Sequence, residues 1–370
     1  MSDTSARGSR TPSRRRIAWT AALVLGLISG TFSTLIITLG APRIGRTRAV
    51  DWMTIGTVAL GADAISDDPG WRQLLSGVLV HQAADLAWAL VLFALGRYWT
   101  YSLGAGAITL IAAPWAVATS AVEYYVLLPR LQPLVPLEVP YWTALSVHAT
   151  SAVAYPLFPW IRSRVAGSTP SSGTAAASRT AILMVCLLVV LVLAEALAQS
   201  GHEPKWPLED RIQAAFDQQF MAAMAGHHAA GVELAEAALT GPLSTEAAAL
   251  ARLIIAEQRS EIDLLRGWWH SWVGGEMPSV RQGLTGIPPP ATVTALAQST
   301  SPEREPEFLR LMIDHHGGAL LMTQGARDRA ADPRIWLFAA SVSHAQLGQI
   351  MWMRAMLGEP APGHRPPRFR

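Results

Sequence analysis

From residue 17 to 40 the chain reads IAWTAALVLGLISGTFSTLIITLG, without one charged side chain. A bilayer core takes about 20 apolar residues of helix. A cleaved secretory signal has a shorter apolar region and a small-residue cleavage site. The run therefore predicts a retained spanning helix. Gly26 and Gly30, four apart, predict a face on which another helix packs closely. Four further apolar stretches, near 73–95, 103–128, 141–161 and 180–198, predict four more spans. The segment 51–66, DWMTIGTVALGADAIS, has a short apolar middle between acidic ends and predicts an interfacial or extramembrane helix.

Beyond residue 199 the apolar runs shorten and charges return. Helical periodicity marks 208–239, 244–270, 303–327 and 332–357. Ser244 with Thr245, and Asp332 with Pro333, fit as helix starts: a side-chain acceptor at the cap, or proline in the first turn. The stretch GGEMPSVRQGLTGIPPPATV between the two pairs is too rich in Gly and Pro for a long helix. The expected fold class is all-α. A basic cytoplasmic tail (1–16) precedes a membrane domain of about five spans (17–199). A four-helix bundle of two duplicated hairpins (205–358) and a short tail (359–370) follow.

The duplication is explicit. FMAAMAGHHAAGVEL at 220–234 and FLRLMIDHHGGALLM at 308–322 match at a constant offset of 88 residues. Asp217 pairs with Glu305, Phe220 with Phe308, Met224 with Met312, and His227–His228 with His315–His316. In the following helices Gln258 pairs with Gln346, Ile262 with Ile350 and Arg266 with Arg354. No gap is needed from 217 to 269. Two hairpins each leave an apolar face uncovered, and pairing them buries both. The copies differ where Glu261 meets Gln349 and where Gly226 meets Asp314.

Composition supports a membrane portion: 51% of residues are hydrophobic and only 15% charged. A net charge of +2, with no basic run interleaved with aromatics, argues against nucleic acid as a partner. The single cysteine, Cys186, excludes cysteine-based zinc and iron–sulfur sites. There is no nucleophile elbow, phosphate loop or HExxH, so no enzymatic reaction is expected.

The chemistry concentrates in the histidine pairs. Imidazole suits copper, zinc and nickel, and thioether sulfur tilts the choice to Cu(I). Oxygen-only ions are poorly served. A di-iron site would want Glu three residues before His, where Met224 and Met312 stand. The candidate metal ligands are His227, His228, His315 and His316, with Met224, Met312 and Met322. Asp217, Glu305, Gln258 and Gln346 are candidates to orient them from behind. The bland alternative is a structural module in which the histidines bond only to acids or to Gln258 and Gln346.

At these residues the pattern (Asp/Glu)-x-x-Phe-x-x-x-Met-x-x-His-His, followed by a helix with Gln-x-x-x-Ile, resembles the domain of unknown function family numbered 305. The resemblance covers about 205–358. It implies a ferritin-like four-helix bundle outside the cytoplasm, linked to metal handling, chiefly copper.

Within the apolar half, His81, Asp85, Glu123 and His148 form a candidate intramembrane polar site. Charge at mid-bilayer is costly, so such groups should face the bundle interior and pair. They keep open a different reading, a transporter or channel-like protein with the C-terminal module purely structural. For orientation, the five arginines before residue 17 with Arg97, Arg162, Arg164 and Arg179 predict a cytoplasmic N-terminus. Arg43, Arg46 and Arg48 oppose that bias. Five spans would leave the region after 199 outside the cytoplasm, at the cell membrane. The expected partners are a lipid bilayer and a metal ion.

Overall fold

The computed structural model describes residues 13–168, 174–200 and 211–359. Among these residues the regular elements are all helices. Most of the expected N-terminal tail (1–16), most of the C-terminal tail (359–370) and part of the small, polar stretch at 167–178 lie outside the described residues.

The apolar half starts with α1 (Arg14–Gly40), followed by α2 (Arg48–Leu60) and α3 (Trp71–Ala89). After these come α4 (Ala105–Val122), α5 (Leu134–Glu138), α6 (Tyr141–Ala152), α7 (Phe158–Val165) and α8 (Thr174–Gln199). Four stretches, Arg14–Ile44, Trp71–Leu95, Ala105–Leu131 and Ala175–Ala198, are long and apolar enough to cross a membrane. The expected span at 141–161 is not one continuous helix. α6 stops at Ala152, a 3₁₀ turn covers Tyr155–Leu157, and α7 begins at Phe158. Pro156 and Pro159 each remove a backbone donor and crowd the preceding turn, which breaks the ladder there.

The chain folds into two compact units that do not follow chain order. One comprises Met1–Leu35, His81–Thr119 and Ser146–Leu188; the other comprises Ile36–Val80, Ser120–Leu145 and Val189–Arg370. The linear division into 17–199 and 205–358 is therefore crossed by segments on the near side of residue 199 that pack with the C-terminal hairpins.

In the first unit Ala21, Ala22 and Leu25 of α1 share a core with Phe93, Phe158 and Ile161. The rings of Phe93 and Phe158 stack at 4.2 Å. Gly26 and Gly30 do form a close face. A Cβ at Gly26 would lie 2.8 Å from the Leu86 side chain, and one at Gly30 would lie 2.4 Å from Gln82 Nε2.

The second unit holds the duplicated region. α9 (Arg211–Leu239) and α10 (Thr245–Trp272) form one hairpin, and α12 (Arg304–Arg329) and α13 (Pro333–Met356) the other. A short helix, α11 (Pro290–Gln298), lies between them in sequence. α9 also packs on α12. The inter-span helices join the same unit, α2 against α10 and α5 against α13. Val50, Met53 and Leu134 accordingly share a core with Leu250, Phe308, Met312 and Trp352. The three arginines that opposed the charge bias are all engaged here. Arg43 donates to the Ala194 carbonyl, Arg46 pairs with Asp51 and Arg48 with Glu195.

The repeat is closed reciprocally. Ser244 caps α10, its Oγ accepting the Ala247 N–H at 3.1 Å, and Asp332 caps α13 by accepting the Arg334 N–H at 2.8 Å. Glu305, on α12, accepts the Ser244 N–H and hydroxyl at 2.7 and 3.0 Å. Its repeat partner Asp217, on α9, accepts the Ala331 and Asp332 N–H groups at 3.2 and 2.9 Å. Each hairpin thus fastens the turn of the other.

Asp217→Ala leaves buried backbone donors unpaired and should cost about 2 kcal/mol. Glu305→Ala, at a more exposed cap, should cost about 1 kcal/mol or less. Chemical unfolding of the full chain in detergent checks the order; equal losses would show that burial does not govern the two caps.

Candidate functional site

Reading along the four long helices locates a polar layer. On α9 the residues before the histidines, Met224 and Ala225, belong to one hydrophobic cluster, and those after, Leu234 and Ala235, belong to another. α12 runs the other way, from Phe308 and Met312 in the second cluster to Ala319 and Ala326 in the first. On α10 and α13 the same two clusters are separated by Glu257, Gln258 and Glu261, and by Gln346 and Gln349. Every polar residue of this layer is buried, and the four histidines are 0% exposed.

The rings interact across the repeat axis. His227 and His315 stack, with centroids 4.0 Å apart and planes 21° from parallel. Small residues make the room. A Cβ at Gly231 would lie 2.4 Å from His315 Nε2, and one at Gly318 would lie 2.9 Å from His227 Nε2. The Gly/Pro-rich connection lies against the same helices, with the Val280 carbonyl over Gly226 and the Thr285 carbonyl over Gly318. This explains why the first copy carries Gly226 where the second has Asp314.

Hydrogen bonding fixes the open ring nitrogen on His227 and His316, while on His228 and His315 neither ring nitrogen has a hydrogen-bond partner. Nε2 of His227 donates to the Thr285 carbonyl at 3.1 Å, and Nε2 of His316 donates to Gln349 Oε1 at 2.5 Å. Nε2 of His228 approaches Glu261 Oε2 at 2.8 Å. His315 sits against the backbone of Gly286. In all four rings Nδ1 is buried without a hydrogen-bond partner, and both polar atoms of the Gln258 amide and Gln346 Oε1 are buried and unpartnered too. Native interiors rarely leave such atoms unpaired.

Burial keeps the imidazoles neutral, the form that ligates metal. Desolvation lowers His227 to about 4 and His228 and His316 to about 3, and holds His315 well below its usual value. The acids behind them move the other way. Desolvation raises Glu261 to about 8, and desolvation with repulsion from Glu261 raises Glu257 to about 8.

The expected ligand set is only partly brought together. The four histidines share one layer. Met224 and Met312 lie in hydrocarbon at 0% exposure, in different clusters, each one turn before its pair, and Met322 packs partly buried on the cluster that contains Met224. Asp217 and Glu305 are taken up by the turns described above rather than standing behind the imidazoles. Gln258 does lie in the layer: its Oε1 flanks Gly231 on the side where His315 Nε2 arrives. His344 bonds to the Pro136 carbonyl at 3.1 Å, away from the paired rings. Trp268 and Trp272 stack at 5.1 Å inside the core. As the side chains stand, no three His, Cys, Asp or Glu groups among the described residues converge on one metal position.

Residues 217–357 match the family described as Domain of unknown function (DUF305). No curated protein matches the chain. Among solved structures, a DUF305 fragment from Deinococcus radiodurans is 28% identical, covering 39% of this chain and 95% of its own, with a TM-score of 0.36. CopM in its Cu(I)-bound form is 27% identical (38% and 95% covered, TM-score 0.34). CopM in its Cu(II)-bound form is 28% identical (38% and 95% covered, TM-score 0.35). The DUF305 stretch thus starts at Asp217, the first residue of the reciprocal caps, and ends just past α13.

Several buried polar residues of the second unit escaped the sequence reading. Glu257 has no acidic repeat partner, since Ala345 holds the matching place, so symmetry did not flag it. Glu138 and Arg46 come from the apolar half. Arg304, 1% exposed, donates to the carbonyls of Ala237, Ala238, Leu296 and Ser299 and ties α9 to α11.

The candidate intramembrane quartet is divided. In the first unit Ser33 Oγ meets His81 Nε2 at 2.8 Å and donates to Asp85 Oδ2 at 3.0 Å, and Ser151 donates to the same oxygen at 2.7 Å. His148 Nδ1 meets Thr119 Oγ1 at 3.0 Å. Glu123 belongs to the other unit. The contacts of His81, Asp85 and His148 are inter-helix hydrogen bonds within the first unit.

The pKa shifts set a pH profile for the metal-free protein. A histidine with a lowered folded value stabilises fully above 6.5, its ordinary value, and loses that stability as pH falls. A carboxyl raised from 4.5 to about 8 stabilises fully below 4.5 and loses that stability as pH rises to about 8. Between 6.5 and 8 only the carboxyls act, so stability should decline there, and Glu261→Gln should flatten the decline. Unfolding midpoints across that window check it, and an unchanged slope refutes the assignment.

Proposed function

We propose that the protein is a membrane-anchored metal-binding protein whose paired hairpins form a ferritin-like four-helix bundle that captures copper outside the cytoplasm. The observation that carries this reading is the set of four buried, neutral imidazoles whose Nδ1 atoms have no partner. A neutral imidazole with an open lone pair in a dry layer lacks a ligand, not a proton. Copper is the cargo here. Nitrogen donors with thioethers one turn away favour the soft Cu(I) ion over zinc or an oxygen-seeking metal. Modest ring rotation is required, because stacked His227 and His315 do not aim their lone pairs at one point. The Thr285 carbonyl and Gln349 hold the tautomers of His227 and His316, and the flanking clusters keep water out. No reaction is assigned.

Two observations support the orientation with the N-terminus inside. The arginine bias favours it. The broken 141–161 segment also contributes residues to both compact units, as do the four continuous apolar stretches. We count it as a fifth crossing made of two joined pieces. Sidedness is checkable with single cysteines in a Cys186→Ser background. Thr300→Cys should react with an impermeant maleimide on intact cells, and Ser168→Cys only after permeabilisation. The reverse pattern would place the hairpins in the cytoplasm.

For copper, the full chain in detergent should compete with a chromophoric chelator for Cu(I). His227→Gln with His315→Gln should weaken binding by at least about tenfold while the far-UV circular dichroism stays helical. Undiminished binding by that folded variant would refute the assignment.

A further inference from the structure

A second buried constellation lies beside the histidine layer. Glu138 ends α5, Glu257 and Glu261 lie on α10, and Gln349 lies on α13; none is more than 5% exposed. Gln349 Nε2 donates to Glu257 Oε2 at 2.6 Å and to Glu138 Oε2 at 3.1 Å. Two carboxylates from different parts of the chain therefore bracket one amide nitrogen. The cation facing them is Arg46, already paired with Asp51 through two of its nitrogens. Those two charges cancel and leave three carboxyls without a counter-charge of their own. Glu138 Oε1, in a side chain 1% exposed, has no hydrogen-bond partner.

We infer that Glu138, Glu257 and Glu261 form a second cation site, beside the imidazoles proposed to bind copper, that takes a hard divalent ion. An amide donor between two carboxylates occupies the place a cation would take, and rotation of the Gln349 side chain opens it. Carboxylate and amide oxygens suit Mg²⁺ or Mn²⁺. A bound ion would pair the orphan oxygen of Glu138 and supply the missing charge. Burial and the neighbouring Glu257 push Glu138 well above the usual carboxyl range, which is the strain such an ion relieves. The site needs α5, so it exists only where the inter-span segment sits on the hairpins.

Mn²⁺ is the probe, because its free ion gives a sharp paramagnetic resonance spectrum that binding suppresses. The metal-free full chain should bind Mn²⁺, and so should the His227→Gln/His315→Gln variant. Glu138→Gln and Glu257→Gln should each weaken binding by more than about tenfold, as removal of a charged ligand does. Glu138→Asp should restore part of it. Loss of Cu(I) binding in the histidine variant with Mn²⁺ binding kept separates the two sites. The inference is overturned if the parent leaves the free-ion spectrum unchanged, because the carboxyls then hold protons alone. It is overturned equally if Glu138→Gln and Glu257→Gln bind Mn²⁺ like the parent, because the ion is then on surface acids.

Discussion

A buried polar atom without a partner is costly, typically about 1–3 kcal/mol, and the paired hairpins concentrate such atoms in one layer. The hydrocarbon on either side is well formed: Leu250, Phe308 and Trp352 at one end, Phe338, Leu265 and Trp268 at the other. Those clusters supply the burial that holds the hairpins together, and so oblige the layer between them to stay dry. A stability-only design would fill that layer with leucine. Four histidines, three glutamines and two glutamates stand there instead, and the hairpins bear the cost.

The duplication explains how the layer is held. Asp217 and Glu305 occupy matching places and do matching work, each closing the opposite hairpin's turn. Because the caps are exchanged, neither hairpin is complete alone. The exchange also sets the register of α9 against α12, which is what stacks His227 on His315. A shift of one residue along either helix would rotate these rings by about 100° and end the contact.

Much of this was legible in the chain. The duplicated HH phrase, the constant offset and the helix starts at Ser244 and Asp332 appear in the structure where periodicity put them. The Gly26–Gly30 face was readable because small residues four apart have few other uses in an apolar helix. The break at 141–161 was harder: hydropathy averages over Pro156 and Pro159, which act through backbone geometry. The acidic side of the layer was hidden for another reason. Glu138 lies in a short inter-span stretch, and its role depends on a tertiary contact with Gln349, 211 residues away, that no local pattern encodes. Helical spacing put Met224 and Met312 one turn from the imidazoles, and the antiparallel run of α9 and α12 sets them on opposite sides of the layer.

Gln349 shows how far that tertiary contact reaches. A primary amide has one donor end and one acceptor end. Its nitrogen must face the acceptors, and Glu138 and Glu257 are the acceptors available. The carbonyl oxygen is then forced towards His316, so the ring must present an N–H there, and Nε2 carries the proton. The neutral ring has only one proton, which leaves Nδ1 bare. A carboxyl from the inter-span segment therefore decides, through one amide, which nitrogen of a hairpin histidine keeps its lone pair. On the other hairpin Glu261 takes the place of Gln349 and meets His228 directly, with no such relay. The repeat makes the two histidine pairs look alike, but their supports differ, and only His316 depends on where α5 sits.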